Sequence, residues 1–122
     1  MTLLKRFVIL AAAVSALAMA ISAATASGER VKQVDAKFAC FINKQRFDKP
    51  QTPVVVDGKT YYGCCESCAK TLKDDPKSRL AVDPVSGKEV DKATAVIGAD
   101  KAGTIYFFES VKHLKRFRVP IT

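Results

Sequence analysis

The chain has 122 residues, with 20 Lys and Arg against 12 Asp and Glu, one His, four Cys and no Trp. A net charge of +8 raises nucleic-acid binding as a reading, but the basic residues are scattered apart from Lys112, Lys115, Arg116 and Arg118, and scattered charge is a solvated surface. The single His lies far in sequence from every Cys and no paired carboxylates sit in a pocket-like context, which leaves nucleophilic and acid–base catalysis little to work with.

The first residues address the compartment. Lys5 and Arg6 precede an unbroken run of apolar and small residues from Phe7 to Ile21, and Ala24-Thr25-Ala26 supplies a small-x-small cleavage site. Residues 1–26 therefore read as a signal peptide cut before Ser27. An uncleaved anchor is the competing reading, but the run is shorter than the roughly 20 residues a spanning helix needs and is built of Ala rather than Leu. No Cys follows the cut to carry a lipid. The expected product is residues 27–122, periplasmic or secreted, with no stable membrane span and a charge of +6 once Lys5 and Arg6 are gone. Nucleic acid is not an expected partner for such a chain. A domain this small has a thin core, and such domains often add a disulfide, a metal or a partner.

Ser27 to Ala36 is polar and of mixed charge, and reads as a flexible lead-in rather than a core element. Val54 to Tyr62 is a hairpin signal: two β-prone runs flank Asp57-Gly58, a pair that accepts the positive φ angles of a type I′ turn. Cys65 to Lys73 reads as a short helix with Ala69 and Leu72 on one face, stopped by Asp74-Asp75-Pro76.

Beyond Pro76 the order repeats. Ala93 to Ile97 is predicted as a strand, Gly98 to Gly103 as a turn, Thr104 to Phe108 as a second strand and Ser110 to Phe117 as a helix. Val111, Leu114 and Phe117 form that helix's apolar stripe, with Lys112, Lys115 and Arg116 outside. A shift of 45 lays Tyr61-Tyr62-Gly63-Cys64-Cys65 on Tyr106-Phe107-Phe108-Glu109-Ser110, and a shift of 46 lays Cys40 on Ser86. Hairpin then helix, twice in the same order, points to internal duplication. The predicted class is α+β, with two tandem β-hairpin-plus-helix modules after the signal peptide. The aromatic residues of the strands read as core. Gly98 and Gly103 bound a turn and not a phosphate loop, since no Gly-Lys-Ser/Thr follows.

The cysteines are the one concentrated chemical signal. Their spacing is Cys40-x23-Cys64-x3-Cys68, with Cys65 as an extra thiol. Cys64 closes the hairpin and Cys68 stands one helical turn later, so both sulfurs can point the same way, with Cys40 arriving from ahead of the hairpin. Three converging thiolates without a nearby His are a soft-ligand set, suited to Cu(I), with Zn(II) as the other candidate, and unsuited to Mg or Ca. Two other readings stay open. Four cysteines in an exported chain also fit two disulfides, and Cys65-Glu66-Ser67-Cys68 is a Cys-x-x-Cys at a helix start, where a thiol can turn redox-active. No βαβ pattern surrounds that motif.

The same residues carry a resemblance. Cys40-x23-Cys64-x3-Cys68, with Tyr61-Tyr62 before the paired cysteines, resembles the TRASH domain, a small heavy-metal-binding module. Asp83-Pro84-Val85-Ser86-Gly87 and Tyr106-Phe107-Phe108-Glu109-Ser110-Val111-Lys112-His113 are similar to the opening and closing motifs of the related YHS domain. The resemblance covers about Lys37 to Phe117. It implies a TRASH-like, treble-clef-like module at 37–76 and a degenerate YHS-like module at 77–122. It implies Cys40, Cys64 and Cys68 as ligands, with Cys65 an alternate or resolving thiol. Where the second module would have its three cysteines it has Ser86, Glu109 and His113, so it is expected to keep the frame and to have lost the thiolate site. Glu109 and His113, spaced i and i+4, could still meet a metal. The expectation is an exported carrier or scavenger of a thiophilic ion, not an enzyme, exchanging it with a metal-transport or resistance protein. The rival is a disulfide-stapled interaction module that binds through the basic helix.

Overall fold

Asp57 and Gly58 hold φ of 51° and 75°, the two left-handed positions that a two-residue type I′ turn demands. In the computed structural model, which describes residues 28–121, this turn closes the hairpin of β4 (Thr52–Val56) and β5 (Lys59–Gly63). Its register runs from Val56 opposite Lys59 to Thr52 opposite Gly63. Pro53 is tolerated because the ladder has only two strands, which leaves its missing donor on an edge. Helix α1 (Glu66–Asp74) follows at once, buries Leu72 and ends with Asp75 as C-cap. The Arg79 guanidinium donates to the carbonyls of Leu72 and Lys73 at 2.7 and 3.3 Å, which satisfies acceptors that a helix end leaves open. Pro76 then starts a short 3-10 turn, Pro76–Arg79. The expected signal peptide, residues 1–26, lies outside the described residues.

The second hairpin-plus-helix is also present, with its first strand displaced from the predicted place. Strand β8 is Val96–Ala99 and β9 is Ile105–Phe108, whereas the sequence pattern suggested a strand at Ala93–Ile97. Asp91 is the cause. Its carboxylate accepts the Ala93 N–H at 2.9 Å, and its carbonyl accepts the N–H groups of Thr94 and Ala95, which curls 91–95 into a turn. Gly98 and Ala99, expected in the loop, pair instead with Tyr106 and Ile105. Helix α2 (Val111–Arg116) is capped by Ser110. Leu114 is buried and Phe117 packs on Tyr106 and Phe108, with ring centroids 4.9 and 5.5 Å apart. Val111 is 39% exposed, so it falls outside the apolar stripe assigned to it.

Short pairings knit the two units together. Within the first unit β2 (Ala39–Cys40) and β3 (Gln45–Arg46) form a ladder, and within the second β6 (Leu80–Val82) and β7 (Glu89–Asp91) form another. Gln45 bridges to Thr104, and the Ile105 N–H reaches the Lys44 carbonyl at 3.0 Å. One core draws on both halves: Ala39, Phe41, Tyr61 and Leu72 pack with Ile97, Ala99, Ile105 and Phe107. Phe41, fully buried, meets Tyr61, Tyr62 and Phe107 edge-on.

The lead-in expected at 27–36 is a structural element from residue 28 onward. Strand β1 (Lys32–Gln33) pairs antiparallel with β8 and completes a three-stranded β1-β8-β9 sheet. Val31 is 6% exposed against Phe108 and Leu114. One apolar side chain with room beneath it outweighed the polarity around it. The architecture is mixed α+β, as predicted, and among the described residues no helix is long and apolar enough to cross a membrane.

Candidate metal centre

Three elements bring the cysteines together. Cys40 ends β2, and the next residue ties the following turn to the first hairpin through Phe41 N–H to the Tyr62 carbonyl, 2.9 Å. Cys64 directly follows β5. Cys68 is in the first turn of α1, and its sulfur lies 3.7 Å from that of Cys64. The sulfurs of Cys40, Cys64 and Cys68 all lie within 4.8 Å of one another. Thiolates bound to a common ion at about 2.3 Å stand roughly 4 Å apart, so the spacing fits one ion at their centre. Cys40 and Cys68 are buried at 0% and 6% exposure, while Cys64 is partly exposed.

Gly63 makes this approach possible. A Cβ at that position would stand 3.0 Å from the Cys68 Cβ and 3.1 Å from the Ala69 nitrogen, so the start of α1 rests directly on the end of β5.

The thiols differ electrically. Burial pushes the Cys40 thiol up, but hydrogen bonds led by the Asn43 N–H outweigh it, and the net shift is down. Cys64 is raised, first by burial and then by its bond with Cys40. Burial and the Cys65 and Cys64 thiols push Cys68 up to about 12. One sulfur is thus predisposed to be thiolate and two hold their protons, so filling the centre must release protons. Asn43, which the sequence reading overlooked, donates twice: its N–H to Cys40 Sγ at 3.4 Å and its side-chain amide to Cys64 Sγ at 3.0 Å. Its spacing of three after Cys40 was the available signal. Lys92 was also missed. It is 5% exposed, its ammonium donates to the Phe41 carbonyl at 2.9 Å, and its pKa falls to about 8 through burial and the Lys44 charge. The cation sits behind the Cys40 turn, where it favours thiolate; nothing in its local sequence marks it.

Cys65 stands beside the group of three rather than in it. It is exposed, its sulfur is 3.5 Å from that of Cys68, and it caps α1 by accepting the Cys68 N–H at 3.5 Å. Its pKa is lowered, first by that N–H and then by the Cys68 thiol. No disulfide joins the four cysteines in this structure.

In the second unit Glu109 and His113 do converge, with Nδ1 of His113 3.4 Å from Oε2 of Glu109. The third partner is Asp83 rather than the expected Ser86. Asp83 Oδ2 lies 2.7 Å from the His113 Nδ1, whereas Ser86 is exposed and its hydroxyl accepts the Lys88 N–H. Asp83 organises its own turn, taking the N–H groups of Val85 and Ser86 on Oδ1.

Comparison with protein-family models, with curated proteins and with solved structures gave no match.

Proposed function

We propose that the chain is an exported carrier or scavenger of a soft metal ion, with Cu(I) as the preferred cargo. The observation that carries the reading is the convergence of the Cys40, Cys64 and Cys68 sulfurs within 4.8 Å. Three thiol donors with no carboxylate or imidazole in the group select a thiophilic ion. Structural Zn(II) takes four protein ligands, and the nearest fourth sulfur, that of Cys65, is occupied in capping α1. Three-coordinate Cu(I) needs no fourth. The resemblance to TRASH and YHS modules and the signal-peptide-like segment at 1–26 support the same reading.

The activity is capture and transfer, with no bond-making chemistry on a substrate. Cys40 and Cys68 anchor the ion from buried positions. Cys64, partly exposed, is the sulfur that an incoming thiolate from a transport or resistance protein displaces first. The Asn43 amide and the Lys92 ammonium offset the negative charge that three thiolates bring together.

Anaerobic Cu(I) titration against a chromogenic chelator tests this, together with a thiol count on protein recovered from the periplasm. One equivalent of Cu(I) is expected, and Cys64→Ser should weaken binding at least a hundredfold. Two disulfides in the recovered protein, or undiminished Cu(I) affinity in Cys64→Ser, would overturn it.

A further inference from the structure

The second unit presents its own donor set in the frame where the first presents thiols. Glu109 follows β9 as Cys64 follows β5, and His113 stands four residues later, as Cys68 does. Between each pair is a helix cap of the same geometry: Cys65 at φ −154°, ψ 172° and Ser110 at φ −154°, ψ 162°. The third donor also has a counterpart. Cys40 accepts the N–H three residues on, from Asn43, and Asp83 accepts the N–H three residues on, from Ser86.

The charges in this second group do not balance from within. Asp83 is 0% exposed, and its partners are three backbone N–H groups and the His113 ring. No Lys or Arg side chain pairs with it or with Glu109 among the described residues. Two carboxylates therefore face one imidazole, an arrangement that a divalent cation neutralises. Nδ1 lies 3.4 Å from Glu109 Oε2, a span one ion can bridge, and 2.7 Å from Asp83 Oδ2, a hydrogen bond that must open by a few tenths of an ångström for an ion to enter. Nitrogen and oxygen donors at about 2.1 Å from one ion stand roughly 3.0–3.4 Å apart.

We propose that Asp83, Glu109 and His113 form a second metal site, open to solvent as the fourth ligand and selective for a borderline divalent first-row ion such as Zn(II). Two carboxylate oxygens and one imidazole nitrogen are harder donors than three thiolates, so the two halves sort different ions on one frame. Asp83 supplies a fixed inner oxygen, and half-exposed Glu109 closes the site from the solvent side. Binding uses the Nδ1 lone pair, so the bound ring carries its proton on Nε2 and gives up its hydrogen bond to Asp83. The sorting of ions rests on the soft-ion cargo proposed for the thiols; the Asp83, Glu109 and His113 site does not.

His113 is the chain's one histidine, so its ring reports this site alone. Untagged protein titrated with Zn(II) should show saturable nitrogen-15 shifts at Nδ1, with Nε2 remaining protonated. Glu109→Gln should weaken that response at least tenfold while leaving the backbone amide spectrum in place. Equilibrium dialysis gives an independent measure: His113→Asn should retain one equivalent of Zn(II) fewer than wild type. Ring nitrogens unmoved by excess Zn(II), coordination through Nε2, a Glu109→Gln response as tight as wild type, or equal retention by His113→Asn would each overturn the assignment.

Discussion

Cys65 and Ser110 do the same work in the two halves of the molecule. Each precedes its helix in extended backbone, and each side chain accepts the N–H of the residue three positions on, Cys68 in one case and His113 in the other. A thiol is a poor acceptor and a hydroxyl a good one, so the two halves carry the same cap with different chemistry. The extra cysteine of the cluster is thus, in its observed position, a capping residue.

Replacing the thiol by the hydroxyl should therefore leave the centre intact. Cys65→Ser is expected to bind Cu(I) within threefold of wild type and to be at least as stable, whereas Cys65→Ala, with no capping acceptor, should be less stable than Cys65→Ser. Chemical denaturation and chelator competition on the two variants check both statements. A large loss of Cu(I) affinity in Cys65→Ser would make Cys65 a ligand after all.

Gly63 sets how closely α1 approaches β5. In Gly63→Ala the added carbon meets the Cys68 Cβ and backbone atoms of α1, which have no flexible end to swing away. The start of the helix must shift by a few tenths of an ångström. Overpacking of this kind costs about 1–3 kcal/mol, and the shift carries Cys68 away from Cys64 and Cys40. Both Tm and Cu(I) affinity should fall together. Retained affinity at lowered stability would show that the centre tolerates the displacement.

Much of this arrangement was legible in local sequence. Asp57-Gly58 announced its turn, and Pro76 its helix stop. The pairing of Cys64 with Cys68 followed from one helical turn. What local pattern did not carry was set by contacts distant in sequence. Val31 became core because β8 and α2 left room for it. Asp91 is held at the head of the 91–95 turn by Lys59 and Tyr61, 32 and 30 residues away. Asp83 replaced Ser86 beside His113 because the Asp83 turn folds back on Glu109, 26 residues away. Asn43 and Lys92 joined the thiols for the same reason: the neighbours they serve are fixed by topology, and a charged residue such as Lys92 gives no advance sign of burial.

Asn43 offers a direct test of support around the sulfurs. Asn43→Ala removes the side-chain amide from Cys64 Sγ and leaves the backbone N–H on Cys40 in place. Removing such an outer partner typically costs 10- to 100-fold in metal affinity. Because Asn43 is exposed, stability should change by less than about 0.5 kcal/mol. Cu(I) competition and thermal melts read the two effects separately, and an unchanged affinity would remove Asn43 from the centre.

Asp91 and Tyr61 give the fold a pH signature away from the metal groups. Burial raises the Asp91 carboxyl, but Lys59 at 2.8 Å, the Ala93 N–H and the Tyr61 hydroxyl at 2.9 Å outweigh it, and its pKa lies below the ordinary 3.8. A depressed carboxylate pKa contributes stability that is complete above 3.8 and is lost as pH falls through the folded value. Tyr61 is shifted the other way, pushed up to about 12 by burial and then by Asp91. A raised pKa contributes stability that is complete below the ordinary value of 10 and is lost as pH climbs toward 12. Stability measured by denaturant against pH should therefore decline at both ends. Asp91→Asn should make the acid limb shallower and Tyr61→Phe the alkaline one, with Asp83 and Cys68 sustaining what remains of each. Each substitution removes a buried hydrogen-bonding partner, so each should also lower stability at neutral pH by about 1–3 kcal/mol. An acid limb of unchanged slope in Asp91→Asn would assign acid unfolding to other carboxylates.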